Sequence, residues 1–317
     1  MKFKEKLDKQ FADFNISIPN IPKHKHHLYA DYIELIALFT KSHVTKNDIL
    51  DRLFDEGLEL SDEKNKAEKD DNNENWINEI FDLINFRNSL FSDDYPFKLE
   101  NKILKIKDRI SEKNKIYLSL LISSSLNYYK ILQPELTTEF ETISYQSLLN
   151  YMPKFAKVKP TGENSEYSGT AKEKIKKLAN EINIKINETE LDNISKKNVK
   201  EKGLDLIAWI PFEDKIPNLI TILAQCACGK DWEKKQHETG RYENYFVFYR
   251  KRPVHAMYIP YSLTNNNSFY ESDDIVGDRI IFDRKRILEF LPDTSFFKSM
   301  NSHLIVNKSI EYEEDIV

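Results

Sequence analysis

Two apolar runs each carry one polar side chain that could do chemistry: Asp205 in Gly203-Leu-Asp-Leu-Ile-Ala-Trp209, and Gln225 in Ile222-Leu-Ala-Gln-Cys-Ala-Cys-Gly-Lys-Asp-Trp232. Strands this apolar are ordinarily buried on both faces, where a carboxylate or an amide costs free energy unless something binds it. The spacing leaves room for one strand, a turn around Pro211 to Pro217 and a neighbouring strand, so the two residues suit an adjacent pair. A carboxylate and an amide oxygen from adjacent strand ends, joined by an acid from a preceding helix, are the hard oxygen ligands that Mg²⁺ prefers. The upstream segment "AKEKIKKLANE" offers Glu173 and Glu181 for the third position. A cation so held polarises a scissile phosphate and acidifies a bound water, and a nearby lysine stabilises the added negative charge or orients the nucleophile.

The elements that must position these groups follow from periodicity. Leu204 to Ile210 and Leu219 to Ala227 read as central strands, and Ala171 to Glu181 as the helix leading into them. Alternation puts Gln225 and Ala227 on one strand face and turns Cys226 and Cys228 to the other, toward a core. A helix is expected to begin at Asp231 to Gln236. Asn244 to Tyr249, Val254 to Tyr261 and Arg279 to Phe282 add strands, and "DRKRILEFL" closes as a helix.

Upstream the pattern is different. Leu28, Tyr32, Leu35, Ile36 and Phe39 recur at helical spacing, and Thr45 to Gly57 reads as a second helix stopped by glycine. Ser61 to Asn75 holds almost nothing to bury and reads as a solvated loop or disordered insert. "NWINEIFDLINFRNSLF" and Ile116 to Leu132 are further helices. Pro153, Pro160 and "TGENSEYSG" mark a boundary. The expectation is therefore an α/β (α+β) chain: a helical accessory, recognition or interaction domain over residues 1–150, then a mixed-sheet core flanked by helices over 151–317.

With 317 residues, 40% of them hydrophobic, the chain can fill two real cores. Lys+Arg 47 against Asp+Glu 52 gives a net charge of −5, so no bulk positive field announces nucleic acid. The N-terminal residues lack the apolar core of a signal peptide and no run approaches a membrane span, which points to a cytoplasmic protein and no membrane partner. Cys226 and Cys228, two apart on one strand, are not a disulfide framework and suit a reducing compartment.

"GLDLIAW", "ILAQCACG" and "TAKEKIKKLANE" together resemble the PD-(D/E)XK restriction-endonuclease superfamily, in particular members with Gln in place of the second acid. The resemblance covers roughly residues 165–236. It implies a restriction-endonuclease-like core in which Asp205, Gln225 and Glu173 are catalytic and metal-site groups, with Glu181 as the alternative helix acid. The family's lysine would fall two residues after Gln225, where this chain has Ala227. Some members move that lysine to the next helix, and "GKDWEKK" supplies Lys230, Lys234 and Lys235; Lys234 is favoured and Lys230 stays open. The resemblance further implies Mg²⁺, with Mn²⁺ as a substitute, DNA as substrate, and a place in restriction or anti-phage defence. A partner subunit of a defence complex, such as an ATPase, and a homodimer that cuts two strands are expectations of the same kind. The competing expectation is a non-catalytic nucleic-acid-binding or assembly subunit that keeps the nuclease fold, with Ala227 as its first sign; RNA is a third substrate reading.

Other conspicuous residues have plainer readings. His24, His26 and His27 open a helix, and His27 with Asp31 has the i, i+4 spacing of a metal pair, although a solvated surface accounts for them as well. Residues 151–202 carry twelve Lys against eight acids, a surplus that, with Arg250 to Arg252 and Arg284 to Arg286, could neutralise phosphates or be ordinary surface charge. Trp232 reads as a packing anchor. Paired short helices ending in "DILDRLFDEG" loosely suggest a DNA-binding winged-helix element, but Asp48, Asp51, Asp55 and Glu56 make the helix acidic for a groove reader, and protein interaction is at least as good an expectation there.

Overall fold

The computed structural model describes residues 2–12, 14–40, 43–55, 66–162, 164–194, 203–214, 216, 219–248, 251–264 and 279–312, with backbone only at 66, 67, 69 and 70. Among them are eleven α-helices and seven strands in two sheets, an α/β fold. No helix among the described residues is long and apolar enough to cross a membrane. The chain divides into two compact units: Met1–Leu136, Tyr261–Glu271 and Asp293–Val317 form one, Thr137–Pro260 and Ser272–Pro292 the other. The division thus falls at Leu136 and Thr137, ahead of the prolines at 153 and 160, and the C-terminal segment returns to the first unit.

The first unit holds α1 (Phe3–Ala12), α2 (His26–Thr40), α3 (Lys46–Asp55), α4 (Lys66–Phe91), strands β1 (Phe97–Glu100) and β2 (Ile103–Ile106), and α5 (Glu112–Ser123). The Leu35, Ile36 and Phe39 stripe of α2 is buried as its spacing requires. Helix α4 begins ten residues before Trp76, so Lys66 to Asn75, expected as loop, is helical; Glu68, Asp71, Asn72, Glu74 and Asn75 face solvent. The remaining part of that insert, Ser61 to Asn65, and Gly57 lie outside the described residues. Helix α5 stops at Ser123 rather than running to Leu132, because the Ser124 hydroxyl bonds back to the Leu121 carbonyl at 2.7 Å and to Asp31 Oδ2 at 2.8 Å. The β1–β2 hairpin closes through Asn101 (φ 51) and Lys102 (φ 64), both left-handed, as a two-residue turn that follows strand twist requires.

A buried charge cluster ties this unit together. Arg87 of α4, wholly buried, donates to Asp31 Oδ1 at 2.8 Å, Glu34 Oε1 at 2.7 Å and the His27 carbonyl at 3.0 Å. The hydroxyls of Tyr95 and Tyr117 donate to Glu34 at 3.0 Å and 2.9 Å. Asp31 is therefore bound to a guanidinium, and burial drives His27 down to about 3, so its ring is neutral.

The second unit contains the body of α6 (Gln133–Tyr151), then β3 (Lys157–Pro160), α7 (Ala171–Glu181), α8 (Glu188–Asp192), β4 (Leu206–Trp209), β5 (Thr221–Cys226), α9 (Tyr242–Tyr245), β6 (Val254–Tyr258), β7 (Ile280–Phe282) and α10 (Arg284–Glu289). The sheet order is β3-β4-β5-β6-β7, with the first three strands antiparallel and β5, β6 and β7 parallel: a mixed sheet. One face packs on Ile175, Leu178 and Ala179 of α7, Leu191 of α8, and Tyr242 and Phe246 at α9, through Ile207, Trp209 and Leu223 of the strands. Removing such a side chain, as in Leu178→Ala, costs about 2–5 kcal/mol. Asn244 to Phe248, expected as a strand, is instead the end of α9 followed by a single bridge from Phe246 to Ile186, and Tyr249 lies outside the described residues. The helix expected from Asp231 is one 3₁₀ turn, Trp232–Lys235, with no side-chain cap; Trp232 is buried, the anchor its position suggested.

Candidate metal centre

Asp205 sits just before β4, opposite Gln225 in the continued register of β4 and β5, as the spacing suggested. Its backbone departs from that register. The Asp205 amide donates to the Ala224 carbonyl at 3.0 Å although Leu206 is the partner of Ala224, so two residues of one strand face one of the other, a β-bulge. Leu204 and Ile207, three apart, consequently share the hydrophobic face that covers α7. Asp205, between them, turns its side chain away from that face. Its Oδ2 accepts the Cys226 amide at 2.7 Å, and its carbonyl accepts the amides of Thr161 at 2.7 Å and Gly162 at 3.1 Å.

The acid that meets it is Glu141 of α6. A Cβ built on Gly162 would lie 2.8 Å from Glu141 Oε2 and 3.1 Å from Asp205 Oδ1. The two carboxylates are thus no further apart than those distances laid end to end, and only the missing side chain of Gly162 leaves them room. Sequence reading passed over Glu141, yet a signal was present: Glu141, Ser144 and Leu148 fall on one face of α6, and Ser144 and Leu148 are buried. An acid on an otherwise buried helical face requires a partner.

The sequence-predicted residues lie as follows. Gln225 is buried, but its amide points to the other sheet face, where Nε2 donates to Glu238, and its Oε1 has no hydrogen-bond partner among the described residues. Glu173 is on the surface in the capping box of α7, its carboxylate accepting from the Thr170 amide at 2.7 Å, which holds its pKa below the usual carboxylate range. Glu181 takes Tyr167 at 2.5 Å and Lys159 at 2.9 Å; burial alone would raise its pKa, and these partners carry it below the usual range. Lys234 is an exposed side chain paired with its neighbour Asp231 at 3.1 Å, and Lys230 is exposed on the same turn. Neither Gln225 nor Glu173 is brought to Asp205.

The thiols lie on the face of the carboxylates. Cys226 is beside Ser144 of α6, and burial, reinforced by Asp205 and Glu141, raises its pKa well above the ordinary thiol value. Cys228 is raised by burial and Glu141 and drawn back by Lys235, which puts that amine in the electrostatic surroundings of the thiol. Both thiols stay protonated and unreactive. Deeper under α6, Ser144 lies beside the Cys226 thiol and Ser147 beside the Tyr258 hydroxyl, so these buried polar groups face one another in pairs.

Among the described residues no group of three or more His, Cys, Asp and Glu side chains could hold a metal, so the acidic donors here number two. Mg²⁺ is commonly held by one or two carboxylates, with water and substrate phosphate completing its shell. A second constellation has the outline of a nucleophile, base and orienter: Thr239 Oγ1 to His255 Nδ1 at 2.9 Å, and His255 Nε2 to Glu243 Oε1 at 2.9 Å. Thr239 is 1% exposed, which closes it to substrate and makes the trio a structural network.

The basic surplus around α7 is largely spent within the chain. Lys159 pairs with Glu166 and Glu181, Lys172 with Asp192 and Lys176 with Glu188, while Lys157 stands over the Trp209 ring. Lys196, Lys197, Lys200, Lys202 and Arg250 lie outside the described residues. No family model, curated protein or solved structure matches this chain.

Proposed function

We propose that the second unit hydrolyses phosphodiester bonds in DNA with the help of a divalent cation, Mg²⁺ or Mn²⁺, as its resemblance to the PD-(D/E)XK nucleases implies. The observation that carries this reading is the convergence of Asp205 and Glu141 on the open side of Gly162. Two carboxylates brought together at the ends of inner strands repel each other, and a cation between or beside them would relieve that repulsion. Hard oxygen donors of this type fit Mg²⁺, so Asp205 and Glu141 are the residues that would hold it. The ion would supply charge to polarise the scissile phosphate and to acidify a water. The chain itself supplies orientation: the Cys226 amide fixes one oxygen of Asp205, leaving the other turned to Glu141.

Defence against foreign DNA, and association with a partner subunit or a second copy, belong to the same resemblance. In a plasmid-nicking assay with Mg²⁺, wild-type protein should cut, and Asp205→Ala and Glu141→Gln should not while keeping their far-UV circular dichroism. Equal cutting by all three would remove the assignment.

The second reading is a nucleic-acid-binding or assembly subunit with the fold of a nuclease and no cutting activity. Ala227 favours it, since the position two beyond Gln225 has no amine, and so does the engagement of Gln225 with Glu238. Binding of DNA by a wild-type protein that takes up no Mn²⁺ would support this reading over the first.

A further inference from the structure

We propose that the end of the second unit's sheet opposite the carboxylates is a docking face for a second copy of this chain. Helix α6 crosses the sheet at the carboxylate end. Its Glu141 meets Asp205, Ser144 lies beside Cys226, Ser147 beside Tyr258, and the Tyr151 ring packs on Phe282 at 5.1 Å between centroids. Those sheet residues share one end: Asp205 stands just before β4, and Cys226, Tyr258 and Phe282 close β5, β6 and β7. Alternation back from Cys226 puts Ile222 and Ile220 on the face that α6 crosses, and Val254, the partner of Ile222, shares it. Ile222 is buried, but beyond it the cover ends: Ile220 is 48% and Val254 36% exposed. Phe155, leading into β3, and Phe212, following β4, are 68% and 66% exposed at the same end.

Area and charge select the occupant. Taking about 200 Å² for a whole Phe and somewhat less for Ile and Val, these four side chains expose about 400 Å² of apolar surface. A standard interface takes about 800 Å² from each partner, a little over half of it apolar, so the patch has the size of one such interface. Its border carries both signs: Lys154 beside Phe155, Glu213 and Asp214 after Phe212, and Lys251 ahead of Val254, all exposed. The two carboxylates oppose nucleic acid and anionic lipid, and the lysines oppose a uniformly basic partner. A second copy brings both signs and the same apolar centre, as a two-fold contact requires. Edge-to-edge pairing through β3, an outer strand, is disfavoured by its Lys157, Lys159 and Pro160, so the copies meet face to face. The dimer gives a surface to the second copy in the proposed function and stands whether or not the metal centre cuts.

Sedimentation velocity of the full chain between about 1 and 100 µM tests it. The wild-type mass should rise from monomer to dimer across that range. Phe155→Ser combined with Phe212→Ser should remain monomeric throughout, with unchanged far-UV circular dichroism and with Mn²⁺ uptake equal to wild type, which separates this outcome from any failure of the metal centre. Leu304→Ser, which changes an exposed apolar side chain of the first unit, should dimerise as wild type does. A wild-type chain that stays monomeric at about 100 µM, whether or not it binds anionic vesicles or single-stranded DNA, would overturn the proposal. So would a dimer that persists in the folded double variant, or one lost equally in Leu304→Ser. Should the double variant fail to fold, Ile220→Lys is read in its place, with the same outcomes.

Discussion

The Cys226 amide donates to Asp205 Oδ2 at 2.7 Å, and this bond, with the bulge beneath it, turns the aspartate to the sheet face opposite Gln225. Regular alternation would have set Asp205 beside Gln225, because the two are cross-strand partners in an unbroken ladder. One extra residue in the strand reverses the outcome and gives Asp205 to Glu141. A bulge of this kind re-aims a side chain at the cost of a ladder bond, which the side chain itself replaces here.

Gly162 lies where an added methyl group would meet both carboxylates. Gly162→Ala would push its Cβ to 2.8 Å from Glu141 Oε2. We expect divalent-cation-dependent cutting to fall about 10²-fold, the cost of displacing reacting groups by roughly 1 Å. Single-turnover nicking under saturating protein reads this loss. Unchanged cutting would mean that the two carboxylates do not act together.

Glu173 separates capping from catalysis. Its carboxylate is committed to Thr170 at the start of α7, so Glu173→Gln should lower the melting temperature slightly and leave cutting at the wild-type rate. A loss of cutting comparable to that of Glu141→Gln would return Glu173 to the site.

Arg87 should be the most costly single substitution in the first unit. Arg87→Met leaves Asp31 and Glu34 buried without the guanidinium that neutralises them. Urea denaturation should show a loss of about 3–5 kcal/mol, typical for breaking a buried ion pair from one side. A loss below about 1 kcal/mol would mean that water reaches the cluster.

The pH dependence of the first unit should carry the mark of His27. Its folded pKa is lowered by burial from 6.5 to about 3, so the unfolded chain takes up a proton in a window where the folded chain does not. Stability from this group is complete above pH 6.5 and is lost progressively as pH falls toward 3, with a slope of at most about 1.4 kcal/mol per pH unit. Thermal melts of wild-type and His27→Asn protein between pH 7 and 4 should therefore converge as the solution is acidified. Parallel curves would place His27 in contact with solvent.

Much of this arrangement could be read from residue order, and the part that could not has a physical cause. The buried strands around Asp205 and Gln225, the α7 helix and the Trp232 anchor follow from apolar patterning and turn residues. The α7 acids misled because Thr170-x-x-Glu173 is a helix-start signature as well as an acid on a helix, and local capping wins when the residue lies on the surface. The buried face of α6 marks Glu141 as an acid in need of a partner, but its meeting with Asp205 depends on a bulge, and a one-residue offset in pairing leaves no periodic trace. The helical character of Lys66 to Asn75 escaped for the opposite reason: a segment with no apolar stripe can still propagate from the amphipathic turns that follow it.

Mn²⁺ titration of the folded chain, followed by the loss of free-ion electron paramagnetic resonance signal, probes the pairing of Asp205 with Glu141 most directly. We expect wild-type and Glu173→Gln protein to take up the ion alike, and Glu141→Gln and Asp205→Asn each to lose uptake. Wild-type uptake by Glu141→Gln, or loss confined to Glu173→Gln, would contradict the assignment of Glu141 as the partner of Asp205.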